Sequence, residues 1–218
     1  MSPLELPEVA RARMVADLRI QDPRVSAALL RVPRHEFLPA EFLAQAYDDE
    51  PVPLGAEEAT ISAPHMVALM LEEIQPEPGE HMLEVGTGMG YFAALLAEMV
   101  APDGHIDTTE VEPRLVEESR RRLRSTGYGD RVRVHARDGA LGLPDGAPFD
   151  AIAVSCAAPS LLPTWTGQLG DHGRLVAPIG DATRQALTTY RKGPGAPTVR
   201  RGPWCRFVSM RTSPVPHI

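Results

Sequence analysis

The amino-acid sequence predicts an α/β fold in which a doubly wound, mostly parallel sheet of seven strands follows an N-terminal helical cap. After residue 78, short apolar runs alternate with helix-like segments, which is the pattern of a parallel sheet. Three of these runs carry an acidic residue at or just beyond their carboxyl ends, namely Glu84, Glu110 and Asp138. Ligands of open α/β sheets collect at the carboxyl ends of the strands, so these acids predict a ligand site there.

The whole chain, 1–218, is expected to form one domain that consists of a cap (1–77) and a sheet core (78–218). In the cap, Asp22 followed by Pro23 is a start signal for a helix, and residues 48–59 predict a loop over the ligand site because they are acidic and contain Pro and Gly. We expect helices over 9–18, 23–30, 63–74, 92–100 and 113–123. We expect strands near 81–85, 105–110, 131–136, 149–154, 172–178, 184–190 and 204–210, the last two antiparallel because no long helix separates them.

The segment 83–91 (LEVGTGMGY) predicts a nucleoside-cofactor loop between a strand and a helix. Gly86, Gly88 and Gly90, with Thr87 between the first two, supply a turn without side chains where a ligand approaches the backbone. A dinucleotide fingerprint beginning at Gly86 requires glycine where the chain has Tyr91. The carboxylate of Glu84 suits a positively charged group, such as the amino end of S-adenosylmethionine, better than a pyrophosphate. For the glycines alone, a turn without a ligand is the alternative.

The next two acids have distinct expected roles. Glu110 ends a predicted strand, and its carboxylate can accept both hydroxyl hydrogens of a ribose. Glu112 is the competing candidate, although it also suits the start of a helix. Asp138, followed by Gly139, can accept a hydrogen bond from an adenine amino group, but as a single residue it better suits a turn in which Gly139 supplies the positive φ.

Over almost its whole length the chain resembles the protein-L-isoaspartate (D-aspartate) O-methyltransferase family. Residues 60–66 (TISAPHM) make the resemblance specific, because the glycine loop alone indicates only a methyltransferase. The other matching segments are 32–39 (VPRHEFLP), 46–49 (AYDD), 137–139 (RDG), 147–152 (APFDAI), 168–169 (QL), 173–180 (GRLVAPIG) and 206–208 (RFV). The resemblance implies a Rossmann-like class I methyltransferase fold. It also implies methyl transfer from S-adenosylmethionine, with S-adenosylhomocysteine as the product, to the carboxylate of isoaspartyl and D-aspartyl residues in damaged proteins, which starts their repair through a succinimide.

The resemblance implies a role for Ser62 in which its hydroxyl orients the substrate carboxylate. From the residues alone, Ser62 is placed as the N-cap of a helix beginning at Ala63, and one hydroxyl can serve both roles. The resemblance also implies that the substrate is bound by Thr60, Ile61, Ala63, His65, Phe207 and Val208. His65 is not required as a base, because a carboxylate is already ionised at neutral pH.

The C-terminal segment departs from the family pattern. The chain has Ser209 and Met210 where the family usually has proline and leucine after the valine. In the family this strand lies beside the substrate peptide, whose backbone is expected to pair with the chain near Phe207 and Val208 by strand addition. The departure bears on substrate preference.

Composition excludes several classes of protein. With 218 residues, of which 43% are hydrophobic, the chain can bury a substantial core. Its two cysteines, Cys156 and Cys205, without a signal sequence predict a reducing, cytoplasmic location, and Cys156 suits a small buried hydrophobe better than a nucleophile. The net charge of −7 disfavours nucleic acid as a partner. We expect a monomer with no metal and no membrane span.

Two other functions remain open at this level. The first is a related O-methyltransferase that esterifies a normal aspartate in a dedicated precursor peptide and so drives aspartimide formation. The second, of another class, is a non-catalytic adaptor that only binds S-adenosylmethionine. The presence of Glu84, Glu110, Asp138 and Ser62 disfavours the adaptor.

Overall fold

The computed structural model of the protein describes residues 6–55 and 59–212. Its N-terminal cap contains helices, two 3-10 helices and a short antiparallel hairpin. In chain order these are α1 (Pro7–Asp17), α2 (Pro23–Arg31), 3-10 helices Arg34–Phe37 and Ala40–Gln45, β1 (Val52–Pro53), β2 (Thr60–Ile61) and α3 (Pro64–Ile74).

The start signal of α2 is confirmed. The carboxylate of Asp22 accepts a hydrogen bond of 2.8 Å from the backbone N–H of Arg24, and Pro23 occupies the first helical position. Proline fits there because its missing N–H has no partner inside a helix.

A seven-stranded sheet forms the core and confirms the predicted fold class. Its elements are β3 (His81–Val85), α4 (Tyr91–Met99), β4 (His105–Glu110), α5 (Pro113–Ser125), β5 (Val132–Ala136), 3-10 helices Gly139–Leu141 and Pro144–Gly146, β6 (Phe149–Val154), α6 (Pro163–Thr166), β7 (Leu169–Gly180), β8 (Gln185–Arg191) and β9 (Thr198–Cys205). The strand order is β5-β4-β3-β6-β7-β8-β9, with β8 and β9 antiparallel to their neighbours and the other pairs parallel.

Both faces of the sheet are covered by apolar clusters. Successive residues of β3 point to opposite faces, so Met82 joins the cluster with the cap and α3–α5, while Leu83 joins the cluster around Phe149 and Trp165. Burial on both faces explains why Met82 and Leu83, which point to opposite faces, are both apolar. Among the described residues, no helix is long and apolar enough to cross a membrane.

Two sequence predictions need correction here. Segment 48–59 is not entirely loop, because Val52–Pro53 pairs with Thr60–Ile61; residues 56–58 lie outside the described part of the chain. The strand predicted at 204–210 is wrong in its bounds, since β9 ends at Cys205. The chain then leaves β8, and Ser209 forms a parallel bridge with Ala157 beyond the end of β6.

Candidate active site

The glycine loop follows β3 and leads into α4. Gly86 and Gly88 have left-handed backbone conformations, with φ of 94° and 55°, which residues with a Cβ adopt at a cost. Gly90 is the N-cap residue of α4. The loop is tied to the end of β4, because the backbone N–H groups of Gly86 and Thr87 donate to the carbonyl of Thr109 at 2.9 and 3.2 Å.

Glu84 is fully buried beneath this loop. Its carboxylate accepts a hydrogen bond of 2.7 Å from the hydroxyl of Thr108 and one of 3.4 Å from that of Ser155. Burial raises the pKa of Glu84 to about 8, and the two hydroxyl donors only partly oppose this effect. No cation pairs with Glu84 among the described residues, so a positively charged ligand group would stabilise its ionised form.

Glu110 ends β4, as predicted, and organises the loop. One carboxylate oxygen accepts a hydrogen bond of 2.9 Å from the backbone N–H of Gly88, and the other accepts from those of Val111 and Glu112 at 2.9 and 3.0 Å. Glu112 itself precedes α5 as its N-cap residue and pairs with Arg211 at 3.5 Å. Of the two candidates, Glu110 lines the cleft described below.

Asp138 and Gly139 lie beyond the end of β5. The carboxylate of Asp138 accepts a hydrogen bond of 2.8 Å from the backbone N–H of Ala140 and caps a 3-10 helix. Gly139 is required for close packing, because a Cβ there would lie 2.5 Å from Cγ1 of Val85. The indole N–H of the buried Trp165 donates to the carbonyl of Gly139 at 2.8 Å, a support that the sequence did not reveal.

Two adjoining pockets share Thr60, Gly86, Gly88 and Ser155 and so form one cleft. The outer pocket has an empty volume of ≈ 850 Å³, open solvent included, and the inner pocket ≈ 440 Å³. Glu110 and Gly139 line the outer pocket, whereas Ser62, Ile61 and Glu84 line the inner one. The cleft therefore joins most of the predicted cofactor residues to several of the predicted substrate residues, whereas Gly90, Asp138 and Phe207 line neither pocket.

Ser62 is not the N-cap that the sequence predicted. Helix α3 begins at Pro64, and its N-cap is Ala63, which has ψ of 145°. A proline forces the residue before it into an extended conformation, so Ala63 cannot be helical and Ser62 lies one residue outside the cap. Among the described residues, the hydroxyl of Ser62 has no hydrogen-bond partner. It is therefore available to a ligand in the inner pocket.

Arg34 fixes the backbone of the Ser62 segment through hydrogen bonds. Its side chain is fully buried and donates hydrogen bonds to the carbonyls of Ala46 (2.9 Å), Ser62 (2.9 Å) and Glu50 (3.4 Å). Sequence reasoning gave Arg34 no role. The only signal was its place in the family-like segment 32–39.

The other predicted substrate residues lie in different settings. Thr60 faces both pockets, and Ala63 is buried without lining either. His65 is exposed, its Nδ1 lies 2.9 Å from a carboxylate oxygen of Asp49, and it does not line either pocket.

Residues 208–211 line the outer side of the cleft, and Phe207 precedes them without lining either pocket. Phe207 is buried, and its backbone N–H donates to the side-chain carbonyl of Gln185 at 2.7 Å. The carbonyl of Val208 and the N–H of Met210 both bond to Ala157 at 2.8 Å. In such a bridge the backbone groups of Ser209 face the opposite side. The carbonyl of Val208 thus points toward Ala157, whereas the backbone N–H and carbonyl of Ser209 point away from Ala157.

Cys156 lines the outer pocket as a free thiol. Burial raises the pKa of this thiol to about 12, and the neighbouring carboxylates of Glu110 and Glu84 act in the same direction. A thiol that stays protonated at neutral pH is a poor nucleophile, as the sequence reasoning expected.

Comparisons with known proteins agree on one family. The model of the family described as Protein-L-isoaspartate(D-aspartate) O-methyltransferase matches residues 11–213. A protein-L-isoaspartate O-methyltransferase of Methanopyrus kandleri is 44% identical over 206 residues, which cover 92% of this chain and 91% of the relative.

Two solved structures share the fold. One protein-L-isoaspartate O-methyltransferase matches with a TM-score of 0.83 at 27% identity, over 94% of this chain and 65% of that chain, so this chain spans about two thirds of its length. A Plasmodium falciparum protein of the same description, solved with S-adenosyl-L-homocysteine, matches with a TM-score of 0.82 at 24% identity, over 93% of this chain and 99% of that one.

Proposed function

Because the chain belongs to the protein-L-isoaspartate(D-aspartate) O-methyltransferase family, we propose that its cleft performs the family's reaction with the residues described above. The reaction transfers a methyl group from S-adenosylmethionine to the free carboxylate of an L-isoaspartyl or D-aspartyl residue in a damaged protein. In the resulting methyl ester, methoxide is a better leaving group than the oxygen of the free acid, so the neighbouring amide nitrogen attacks the ester carbonyl, closes a succinimide and releases methanol. Hydrolysis of the succinimide returns part of the material to normal aspartate.

The buried carboxylate of Glu84 is the observation that carries the cofactor assignment. An ionised carboxylate with only two hydroxyl donors is unstable in a buried position, and a cation would offset that penalty. The amino group of S-adenosylmethionine supplies such a cation. A phosphate group would instead be repelled, which excludes a dinucleotide in this orientation.

The remaining contacts to the cofactor follow from the geometry of the cleft. We assign the ribose hydroxyls to Glu110, whose carboxylate already accepts a hydrogen bond from the backbone N–H of Gly88 in the glycine loop. We assign the adenine side to Asp138 and Gly139, where the absence of a Cβ keeps the chain close to Val85. Gly86, Thr87 and Gly88 form the backbone wall of the cleft, and Gly90 ends the loop as the N-cap of α4. When bound, S-adenosylmethionine supplies an electrophilic methyl group on a sulfonium sulfur.

The substrate carboxylate needs orientation and not deprotonation. Its ordinary pKa near ~4 leaves it ionised at neutral pH, so no base is required, in accord with the position of His65 outside the cleft. The hydroxyl of Ser62 is placed to donate a hydrogen bond to this carboxylate, and Arg34 fixes the backbone of Ser62. The buried side chain of Ile61, which lines the inner pocket, would exclude water from the nucleophile.

The substrate backbone is assigned to the edge formed by residues 207–210. The side-chain carbonyl of Gln185 fixes Phe207, and Ala157 fixes Val208, which leaves the backbone groups of Ser209 for strand addition. Backbone pairing needs no particular side chain, which suits an enzyme that meets many sequences. Isoaspartate has one more backbone methylene than aspartate, which moves its free carboxylate relative to the peptide backbone.

A second candidate function is favoured by one observation. Ser209 and Met210, which depart from the family pattern, both line the outer pocket. They would contact the substrate of an enzyme that esterifies a normal aspartate in a dedicated precursor peptide. The experiment below separates the two functions.

The proposal also includes a monomeric enzyme of the cytoplasm that does not bind nucleic acid. Sedimentation of the purified protein tests whether it is a monomer.

The decisive experiment measures methyl transfer from labelled S-adenosylmethionine to two peptides that differ only by isoaspartate or aspartate. We expect strong preference for the isoaspartyl peptide. Ser62→Ala should lower kcat by roughly tenfold or more, because a misplaced carboxylate loses alignment. Ser26→Ala, a change on the surface of α2, is the control. Equal labelling of both peptides contradicts repair. Labelling of neither, with cofactor binding intact, points to a precursor substrate or an adaptor.

A further inference from the structure

A cluster of histidines and one aspartate lies at the opposite end of the sheet from the cleft. His81 and His105 are the first residues of β3 and β4 and are paired in the parallel register. Asp107 lies two residues farther along β4 and therefore points to the same face. Each of the three residues offers a ligand atom, and these atoms all lie within 4.8 Å of one another.

The carboxylate of Asp107 is buried and held from two sides. One oxygen lies 2.7 Å from Nε2 of His81, and the other lies 2.6 Å from Nε2 of His135 on β5. His135 therefore fixes the orientation of the carboxylate. This is the arrangement in which an outer residue orients a metal-ligating carboxylate. A metal ion between His81 and the first oxygen would replace the proton that these two atoms share, and this proton would leave to solvent.

His105 supplies the free imidazole of the cluster. Its ring is exposed and stacks on that of His81, with ring centres 4.0 Å apart and planes 19° from parallel. Among the described residues, its ring nitrogens have no hydrogen-bond partner. Nearly parallel rings do not aim their nitrogens at one point, so binding one ion requires rotation of the exposed His105 ring.

We propose that His81, His105 and Asp107 bind a divalent transition-metal ion of the zinc class, with His135 orienting the carboxylate. Two imidazole nitrogens and one carboxylate oxygen form a common set of ligands for Zn²⁺, and a water molecule completes four-fold coordination. A magnesium or calcium ion is disfavoured, because these ions prefer an all-oxygen set. The carboxylate of Asp150, which accepts the backbone N–H of His81 at 2.9 Å, adds negative charge nearby.

The metal would stabilise the sheet and would not take part in methyl transfer. A parallel strand rises about 3.3 Å per residue, so Glu84 lies roughly 10 Å along β3 from His81. The ion would link β3 to β4 directly and to β5 through His135. Its presence or absence therefore leaves the proposed function untouched.

The test uses the full chain, freed of metal with a chelator, and Zn²⁺ alone as the probe. Competition with a fluorescent zinc indicator gives stoichiometry and affinity, and thermal unfolding gives the shift in Tm. We expect one site and a higher Tm with zinc. His105→Ala, an exposed change, should weaken binding by more than about 100-fold, and His135→Ala by about 10- to 100-fold. His172→Ala, an exposed histidine on β7, is the control and should bind as the parent does.

Co²⁺ provides an independent readout, because tetrahedral coordination gives strong visible absorption that His105→Ala should remove. The proposal is overturned if zinc binds His105→Ala as tightly as the parent. It is also overturned if the parent shows no zinc binding beyond weak, nonspecific binding to exposed histidines. Loss of binding together with unchanged methyl transfer and an unchanged Tm without zinc in His105→Ala supports it. Failure of this site would leave the proposed methyltransferase activity standing.

Discussion

The guanidinium of Arg34 donates a hydrogen bond of 2.9 Å to the backbone carbonyl of Ser62, the residue assigned to the substrate carboxylate. Arg34 also lies 5.3 Å from the ring centre of Tyr91, the residue that begins α4 after the glycine loop. Burial lowers the pKa of Arg34, an effect that nearby Tyr91 and Asp49 oppose. One buried cation thus connects the cap, the substrate segment and the cofactor loop.

Replacement of Arg34 by lysine tests this connection. Arg34→Lys keeps the charge but loses the planar fork that reaches three carbonyls at once. We expect kcat for an isoaspartyl peptide to fall about tenfold or more, with the cofactor Kd nearly unchanged, and stability to fall by roughly 2–3 kcal/mol. Calorimetry and steady-state kinetics measure these effects. Arg31→Lys, which alters an exposed pair with Glu98, is the control. If kcat falls only in proportion to the fraction of Arg34→Lys protein that is unfolded, the role of Arg34 is purely structural.

Gly139 offers a second test, at the adenine side of the cleft. In Gly139→Ala the new methyl group would lie 2.5 Å from Cγ1 of Val85, so the turn must move away from the strand ends. We expect cofactor affinity to fall about tenfold or more and Tm to fall by several degrees, as for overpacking of 1–3 kcal/mol. Gly193→Ala, where nothing lies within 4 Å of the new Cβ, should change neither. Equal effects of the two substitutions would contradict the close approach.

Local sequence signals were sufficient for three strands of the sheet core. Strands β3, β4 and β6 begin and end where the sequence placed them, because each is a short run with turn residues on both sides. The predicted end of β4 at Glu110 was also correct. This position at the end of the strand is the signal that favoured Glu110 over Glu112 as the ribose-binding candidate.

Features that depend on distant contacts were not predictable. The end of β9 depends on Gln185, whose side chain captures Phe207 after the chain has left the sheet. The environment of Ser62 depends on Arg34, which comes 28 positions earlier in the chain. Only the N-cap error had a local signal, since Pro64 already excludes a helical conformation for Ala63.

Gln185 provides a third test, on the substrate edge. Its side chain is fully buried, accepts the N–H of Phe207 at 2.7 Å and donates to the carbonyl of Asp181 at 2.5 Å. Gln185→Leu leaves both backbone groups without partners, so residues 207–210 should lose their fixed position. We expect KM for the peptide to rise about tenfold with little change in cofactor Kd. Gln185→Glu keeps an acceptor for Phe207 and should recover part of the loss. If both substitutions change the cofactor Kd more than the peptide KM, residues 207–210 do not act on the substrate.

Glu84 provides a test in which stability and function change in opposite directions. Its pKa is raised from 4.5 to about 8 in the folded protein by burial. The favourable effect of the protonated buried form is fully present below pH ~4.5 and is lost as pH rises toward 8. A rise of the pKa from 4.5 to about 8 corresponds to at most roughly 5 kcal/mol. Glu84→Gln removes the titrating group and keeps an acceptor for Thr108.

We therefore expect Glu84→Gln to match the parent in stability near pH 4.5 and to exceed it at pH 8, measured by urea unfolding across this range. Cofactor binding should be lost, because the amide cannot offset the charge of the amino group. Calorimetry of the parent at pH 6.5, in buffers of different ionisation enthalpy, should show a proton released on cofactor binding, since the arriving cation ionises Glu84. Glu117→Gln, an exposed change on α5, is the control. Binding without proton release would mean that Glu84 does not meet the amino group.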